Sequence, residues 1–121
     1  KWCPTPGYAD IMIPQIYYGF ENSAAPYQST LDEWDALAKQ GGIPLIAGLS
    51  VSKVGCEDTW AGSGKYEWVN NSDIISRQAA AAKKCSSYGG IALYSYRSVF
   101  QPESSVSKQV KKEITALRDI L

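Results

Sequence analysis

The chain contains no histidine, one methionine, two phenylalanines and three cysteines in 121 residues. Without an imidazole, serine–histidine triads, cysteine–histidine proteases and most catalytic zinc sites cannot be assembled. Neither a metal centre nor an organic cofactor is expected. An excess of charge is also missing. Twelve basic and twelve acidic side chains cancel to a net charge of zero, leaving no electrostatic footprint for nucleic acid or an anionic membrane. No apolar run approaches the roughly 20 residues of a membrane span. The opening Lys1-Trp2-Cys3-Pro4 has neither the basic nor the apolar region of a signal peptide, so the chain reads as a processed or excised piece. Cys3, Cys56 and Cys85 stand too far apart for a zinc ribbon or a CxxC pair. They read as inert thiols, or as one disulfide with a thiol left over.

What is present is enough apolar material, 45% of residues, for one domain over residues 1–121 with a modest core. Three runs read as buried strands: Ile11 to Tyr17, Gly42 to Leu49, and Ile91 to Tyr96. Their continuous apolar character predicts coverage on both faces and hence parallel pairing. Between the first two, Thr30-Leu-Asp-Glu33 forms a capping box ahead of a helical face of Leu31, Trp34 and Ala38, stopped by Gly41 and Gly42. A glycine-, tryptophan- and charge-rich loop follows from Val51 to Asn71. Asn71 or Ser72 then caps a helix with Ile74, Ile75, Gln78, Ala79, Ala82 and Cys85 on one side. After Pro102, Ser104 or Ser105 caps a last helix. Its inward stripe is Val106, Val110, Ile114, Leu117 and Leu121, with Lys108, Lys111 and Lys112 toward water.

The fold class is therefore α/β, with the order β-α-β-α-β-α, and right-handed crossovers place all strand C-termini on one edge. Three parallel strands cannot bury both faces and both edges alone. The chain thus reads as the closing part of a (β/α)8 barrel, which takes about 250 residues, with a flavodoxin-like sheet of about five strands as the alternative. A fragment of that kind is expected to pair its open strand edges with the missing part or with another copy.

Polar groups collect where the apolar runs end. Gln15, Tyr17, Tyr18, Glu21 and Asn22 follow the first run. Lys53, Glu57, Asp58, Trp60, Tyr66 and Trp68 occupy the long loop after the second, and Tyr94 and Tyr96 close the third. Alternating positions put Gln15 with Tyr17, and Tyr94 with Tyr96, on a common face. Tyrosine offers a ring to the apolar side of a pyranose and a hydroxyl to its oxygens, and tryptophans on a glycine-rich loop serve as sugar platforms or pack the loop down. Glu21, Glu57 and Asp58 are the candidate acid/base carboxylates. Lys53 is placed to bind an anionic group or to pair with a loop carboxylate. Asp10 precedes its strand and belongs to the opposite end.

Three apparent motifs fail. Gly62-Ser-Gly64-Lys65 lacks the flanking residues of a phosphate loop. Gly48-Leu-Ser50-Val-Ser52 has no closing glycine and no histidine to act as base. Asn70-Asn71-Ser72 is a sequon of the kind that arises by chance.

Five segments in order carry a family resemblance. They are Pro6-Gly-Tyr-Ala-Asp10 after Trp2, Ile13-Pro-Gln-Ile-Tyr-Tyr-Gly-Phe20, Gly48-Leu-Ser-Val-Ser-Lys-Val-Gly55, Asp73-Ile-Ile-Ser-Arg-Gln78 and Gly89-Gly-Ile-Ala-Leu-Tyr-Ser-Tyr96. Over residues 2 to 100 the sequence resembles the glycosyl hydrolase-like 10 family of secreted or surface bacterial proteins. The resemblance implies a TIM-barrel glycoside hydrolase fold, with the three runs similar to its sixth, seventh and eighth strands and the first five absent. It also implies a polysaccharide or oligosaccharide partner. Retaining glycosidases need two carboxylates about 5–5.5 Å apart, so one partner of the catalytic pair is expected outside the chain. A non-catalytic carbohydrate-binding or cell-surface module is the alternative.

Overall fold

Apolar residues three and four apart dictate the first element of the computed structural model, which describes residues 1–121. Tyr27, Leu31 and Ala38 are fully buried on one side of helix α1, Tyr27–Gly41, and Gly42 ends it in the left-handed conformation at φ 67°. The capping box does not form. The helix begins before it, and the hydroxyls of Ser29 and Thr30 donate to the Pro26 carbonyl instead. Strand β1, Leu45–Ser50, follows, then a 3-10 turn at Val51–Lys53, a second at Gly62–Gly64 and the short helix α2, Glu67–Asn70. Helix α3, Ile74–Lys83, leads into strand β2, Tyr88–Tyr94, helix α4, Tyr96–Phe100, and helix α5, Ser107–Ile120.

The domain is thus a mixed α/β unit with two hydrogen-bonded parallel strands and five helices. β1 and β2 pair in register from Ile46 with Gly90 to Ser50 with Tyr94. The first apolar run does not become a regular strand, and proline supplies the reason. Met12 donates to the Pro44 carbonyl and accepts from Ile46, Pro14 accepts from Gly48, and Ile16 donates to the Gly48 carbonyl. Between these bonds the ladder requires an amide at position 14 to reach the Ile46 carbonyl, and Pro14 has none. The run is left as two isolated parallel bridges, Met12 with Leu45 and Gln15 with Gly48. Gly48 is needed there, because a Cβ would lie 2.6 Å from the Pro14 carbonyl oxygen.

Coverage is one-sided, contrary to the expectation from the apolar runs. Ile16, Leu45, Ala47 and Leu49 join a single core with α1, α3 and α5, with Ile91 and Leu93 packed against it. On the other face Ile11 and Ile13 stay 50% and 53% exposed, and Tyr94 53%. Gly48 and Ser50 are buried there only because larger neighbours flank them. The last helix keeps Val110 and Leu117 inside and its lysines outside, but Leu121 is 69% exposed. The three thiols are free, Cys3 buried and Cys56 exposed. Burial pushes the half-buried Cys85 thiol up to about 11, with Asp35 and Asp32 adding to the effect.

The start of α3 is held from another element. No side chain of its own caps it. Glu113 of α5, fully buried, accepts from the Ile74 amide at 3.0 Å and the Ile75 amide at 2.9 Å. These are two of the four orphan donors of a helix start, where negative charge is favourable. Burial still holds the Glu113 carboxyl above its ordinary range, with the Ile75 and Ile74 amides opposing the shift. Glu113→Ala strands both amides in the core and is expected to cost about 2–5 kcal/mol in urea unfolding. A raised folded-state value means that the fold favours the protonated acid. This contribution is complete below the ordinary glutamate range and is withdrawn as pH rises through the raised value. Glu113→Gln should flatten that part of the stability–pH curve, and an unchanged slope would contradict the assignment.

Candidate functional site

The C-terminal ends of the strands converge on one edge of the sheet, and the loop after β1 folds back onto it. The Ser23 amide and hydroxyl both donate to the Ala61 carbonyl, at 3.0 and 3.3 Å. Gly64 backs against the Glu21 carbonyl so closely that a Cβ would collide with it. The segment Glu21–Ser23 and the loop that carries Asp58, Trp60 and Lys65 are therefore brought together.

The fastener is Glu67, which the sequence reading passed over. Its side chain is 3% exposed, and its two oxygens accept from the amides of Phe20 and Glu21, both at 2.9 Å. Gly19 lies against this carboxylate, and a Cβ there would run into Oε2. The sequence signals were a glycine directly after Tyr17-Tyr18 and a glutamate beside Trp68, neither of which distinguishes this clamp from an ordinary loop.

The nominated side chains divide sharply. Asn22 is buried, and its Oδ1 accepts from the amides of Ala24 and Ala25 at 3.0 and 2.9 Å, so it shapes the turn into α1. Trp68 is 1% exposed, with its indole N–H unpartnered, and packs the loop onto the core. Lys53 and the largely buried Asp58 form an ion pair at 2.6 Å. Glu57 pairs with Lys65 at 2.6 Å, and this hydrogen bond, followed by the charge of Glu57, raises the Lys65 ammonium. Of the three nominated carboxylates, Glu21 is the one with no side-chain partner. Tyr18 gives its carbonyl to the Gln78 amide at 2.8 Å and leaves its ring at the surface. Tyr96 begins α4 rather than ending β2, so it does not share a strand face with Tyr94.

Three nominated groups, Gln15, Tyr17 and Tyr94, remain together at the open face. Gln15 stands beside Gly48, which stands beside Ala92, and the next row up holds Ser50 beside Tyr94. Tyr17, two residues beyond Gln15, leans over this row until its ring centroid is 5.5 Å from that of Tyr94, tilted by 31°. The small Ser50 leaves them the room. Its hydroxyl bonds to that of Ser52 at 2.8 Å. Burial, with Tyr94 as the second cause, raises the Tyr17 phenol, which keeps its hydroxyl neutral at physiological pH. Tyr96, 71% exposed, stacks with Phe100 at 4.8 Å, and Trp60 is 89% exposed on the loop. The arrangement offers aromatic faces, hydroxyls and one unpaired carboxylate to solvent.

No group of three or more histidine, cysteine, aspartate or glutamate side chains is clustered as a cation site. The chain matches no protein-family model, no curated protein and no solved structure. What the edge can do rests on its own residues.

Gly19→Ala should displace Glu67 and loosen the Phe20–Glu21 backbone at a cost of about 1–3 kcal/mol. Glu67→Ala removes the atom the new methyl strikes. The double variant should therefore lose less stability than the two single losses combined, and strict additivity in denaturant unfolding would refute the contact.

Proposed function

We propose that the chain is part of a (β/α)8-type glycoside hydrolase-like domain that binds a polysaccharide at the C-terminal ends of its parallel strands. The observation that carries this reading is the Tyr17–Tyr94 ring pair, closed over Ser50 and open to solvent. Paired aromatic faces that carry hydroxyls suit the alternating apolar faces and hydroxyls of a sugar chain. Trp60 and the Tyr96–Phe100 stack are further exposed rings in the segments after β1 and β2, and Gln15 adds an exposed amide. The barrel assignment draws support from the strand order. The two parallel bridges set residues 12–15 beside β1 and β1 beside β2, in sequence order, with helices on one face alone. A secreted or cell-surface bacterial setting belongs to the same proposal.

Catalysis is assigned within narrower limits. Glu21 is the acid/base candidate, because Asp58 and Glu57 are engaged by Lys53 and Lys65. Glycoside hydrolysis takes two carboxylates, so Glu21 acts with a partner contributed from outside these residues. Those same ion pairs favour the second reading, a carbohydrate-binding module that does no chemistry. Glu21→Gln in a protein that carries the whole barrel separates the two: a collapse of turnover supports the first, and unchanged turnover removes Glu21 from the mechanism.

On a glycan array the 121-residue chain should retain at least one class of oligosaccharide, and Tyr17→Ala or Tyr94→Ala should weaken that binding about two- to tenfold. Silence across all glycans would overturn the reading. The amides of Ile13 and Gln15 face away from β1 and have no backbone partner. Such an edge invites pairing, so sedimentation is expected to show self-association of the isolated chain that grows with concentration. A strict monomer at all concentrations would count against an incomplete barrel.

A further inference from the structure

Where the segments after β1 and β2 face the start of α5 lies a groove of about 380 Å³. That is within the range of small-molecule sites, about 300–1,000 Å³. Its floor is apolar, with Val51, Val54, Val106 and Val110 among the lining residues. Its polar lining is rich in groups able to donate hydrogen bonds: the hydroxyls of Ser52, Ser98 and Ser105, the Gln101 amide and the Arg97 guanidinium. Ser52 and Ser98 are tied by their hydroxyls to Ser50 and Ser95, which fixes them at the two strand ends. Arg97 is exposed and forms no ion pair, although Glu103 lines the same groove. The other cations of this edge are spent, Lys53 on Asp58 and Lys65 on Glu57. An unpaired cation at a groove of hydroxyls and an amide is matched by a ligand with hydroxyls and a carboxylate on one ring.

We propose that this groove is a subsite for a uronic acid residue, with Arg97 receiving its carboxylate, and that the bound polysaccharide is therefore acidic. The proposal rests on the sugar-binding reading and names its substrate class. The guanidinium fork takes a carboxylate through two parallel hydrogen bonds, a geometry that a neutral hydroxymethyl group cannot reproduce. Glu103 remains free to accept from ring hydroxyls.

The test is a set of oligouronates of several linkages, each measured by calorimetry beside its carboxyl-reduced, neutral counterpart. At least one acidic member should bind roughly tenfold tighter than its reduced form. Arg97→Gln should bring that ratio to about one while leaving the reduced form's affinity in place, and Arg97→Lys should restore part of it. Arg97 is a surface side chain with no partner in the fold, so the variants test binding rather than folding. Equal affinity for acidic and reduced forms, or a preference that survives Arg97→Gln, would overturn the uronate subsite and leave the sugar-binding reading standing. Absence of binding by every member in both forms would overturn both. A preference shared by inorganic sulfate at equal charge would show a general anion site and overturn the uronate assignment.

Discussion

One interaction recurs at three places where distant parts of this chain are joined: a carboxylate that accepts two successive backbone amides of another element. Glu113 takes Ile74 and Ile75, Glu67 takes Phe20 and Glu21, and Asp35 takes Ser86 and Ser87. Each spans between 38 and 52 residues of sequence. The physical need is clear in a domain with two hydrogen-bonded strands and 30 of 121 residues buried. Loop and helix-start amides lie close to the core without a ladder to satisfy them, and an unpaired buried amide costs as much as a lost hydrogen bond. A carboxylate satisfies two at once with charge-assisted bonds. Environment then sets the sign of the titration. Burial dominates at Glu113 and lifts it, whereas at Asp35 the amides and hydroxyls of Ser87 and Ser86 outweigh burial and hold it below its ordinary range. Asp35 thus adds stability above the ordinary aspartate range that is lost as pH falls through its lowered value, opposite to Glu113.

The clamp at Glu67 decides what the strand ends can present. By fastening Phe20 and Glu21 to the loop, it fixes the backbone that continues from Tyr17 and Tyr18, while the Glu21 side chain is left free. The same closure draws Asp58 inward, where Lys53 neutralises it, and buries Trp68. One candidate acid/base carboxylate, Asp58, and one candidate ligand contact, Trp68, are thereby converted to structure. Trp60, eight positions earlier on the same loop, stays in water because Ala61 rather than Trp60 is the residue bonded to Ser23.

The three long helices, α1, α3 and α5, were legible because their burial repeats locally, whereas the short α2 falls in a stretch that reads as loop and α4 starts where the sequence reads as a strand end. Leu31 and Ala38, Ile74 to Ala82, and Val110 with Leu117 are all where the periodicity puts them. The strand pairing was legible in kind, and Gly42 stops α1 as its sequence position requires. The caps were not legible, since Asn71, Ser72, Ser104 and Thr30 are all plausible from local chemistry, while α3 is in fact capped by a glutamate 39 residues away. Propensity sees neighbours in sequence, and Glu113 sits on a lysine-rich stretch that looks solvated. The limits of the first strand failed for a different reason. The apolar count at Ile11–Tyr17 is high, but Pro14 falls on the side that must donate to β1, and facing cannot be known until the pairing is. Lys53–Asp58 and Lys65–Glu57 were hidden in the same way, because a loop of many charges allows many pairings.

The two ends of the open sheet face call for different occupants. At the N-terminal end Ile11 and Ile13 present bare aliphatic surface beside unpartnered amides, a combination met only by another strand with its own side chains. At the C-terminal end the exposed tyrosine rings carry hydroxyls, and the segments that follow the strands bring serines, a glutamate and an unpaired arginine. Water wets that end without penalty, so burying it against protein would strand polar groups that a hydroxylated ligand would satisfy. Gly48, Ser50, Gly90 and Ala92 keep the middle of the face low, which lets Tyr17 and Tyr94 close over the row instead of standing apart. On the sugar-binding proposal, a face that is apolar at its base, small in its middle and aromatic-polar at its rim is divided between completing a sheet and holding a ligand. Under the proposed reading both follow from one-sided coverage, since helices on the second face would have hidden the edge and the rings alike.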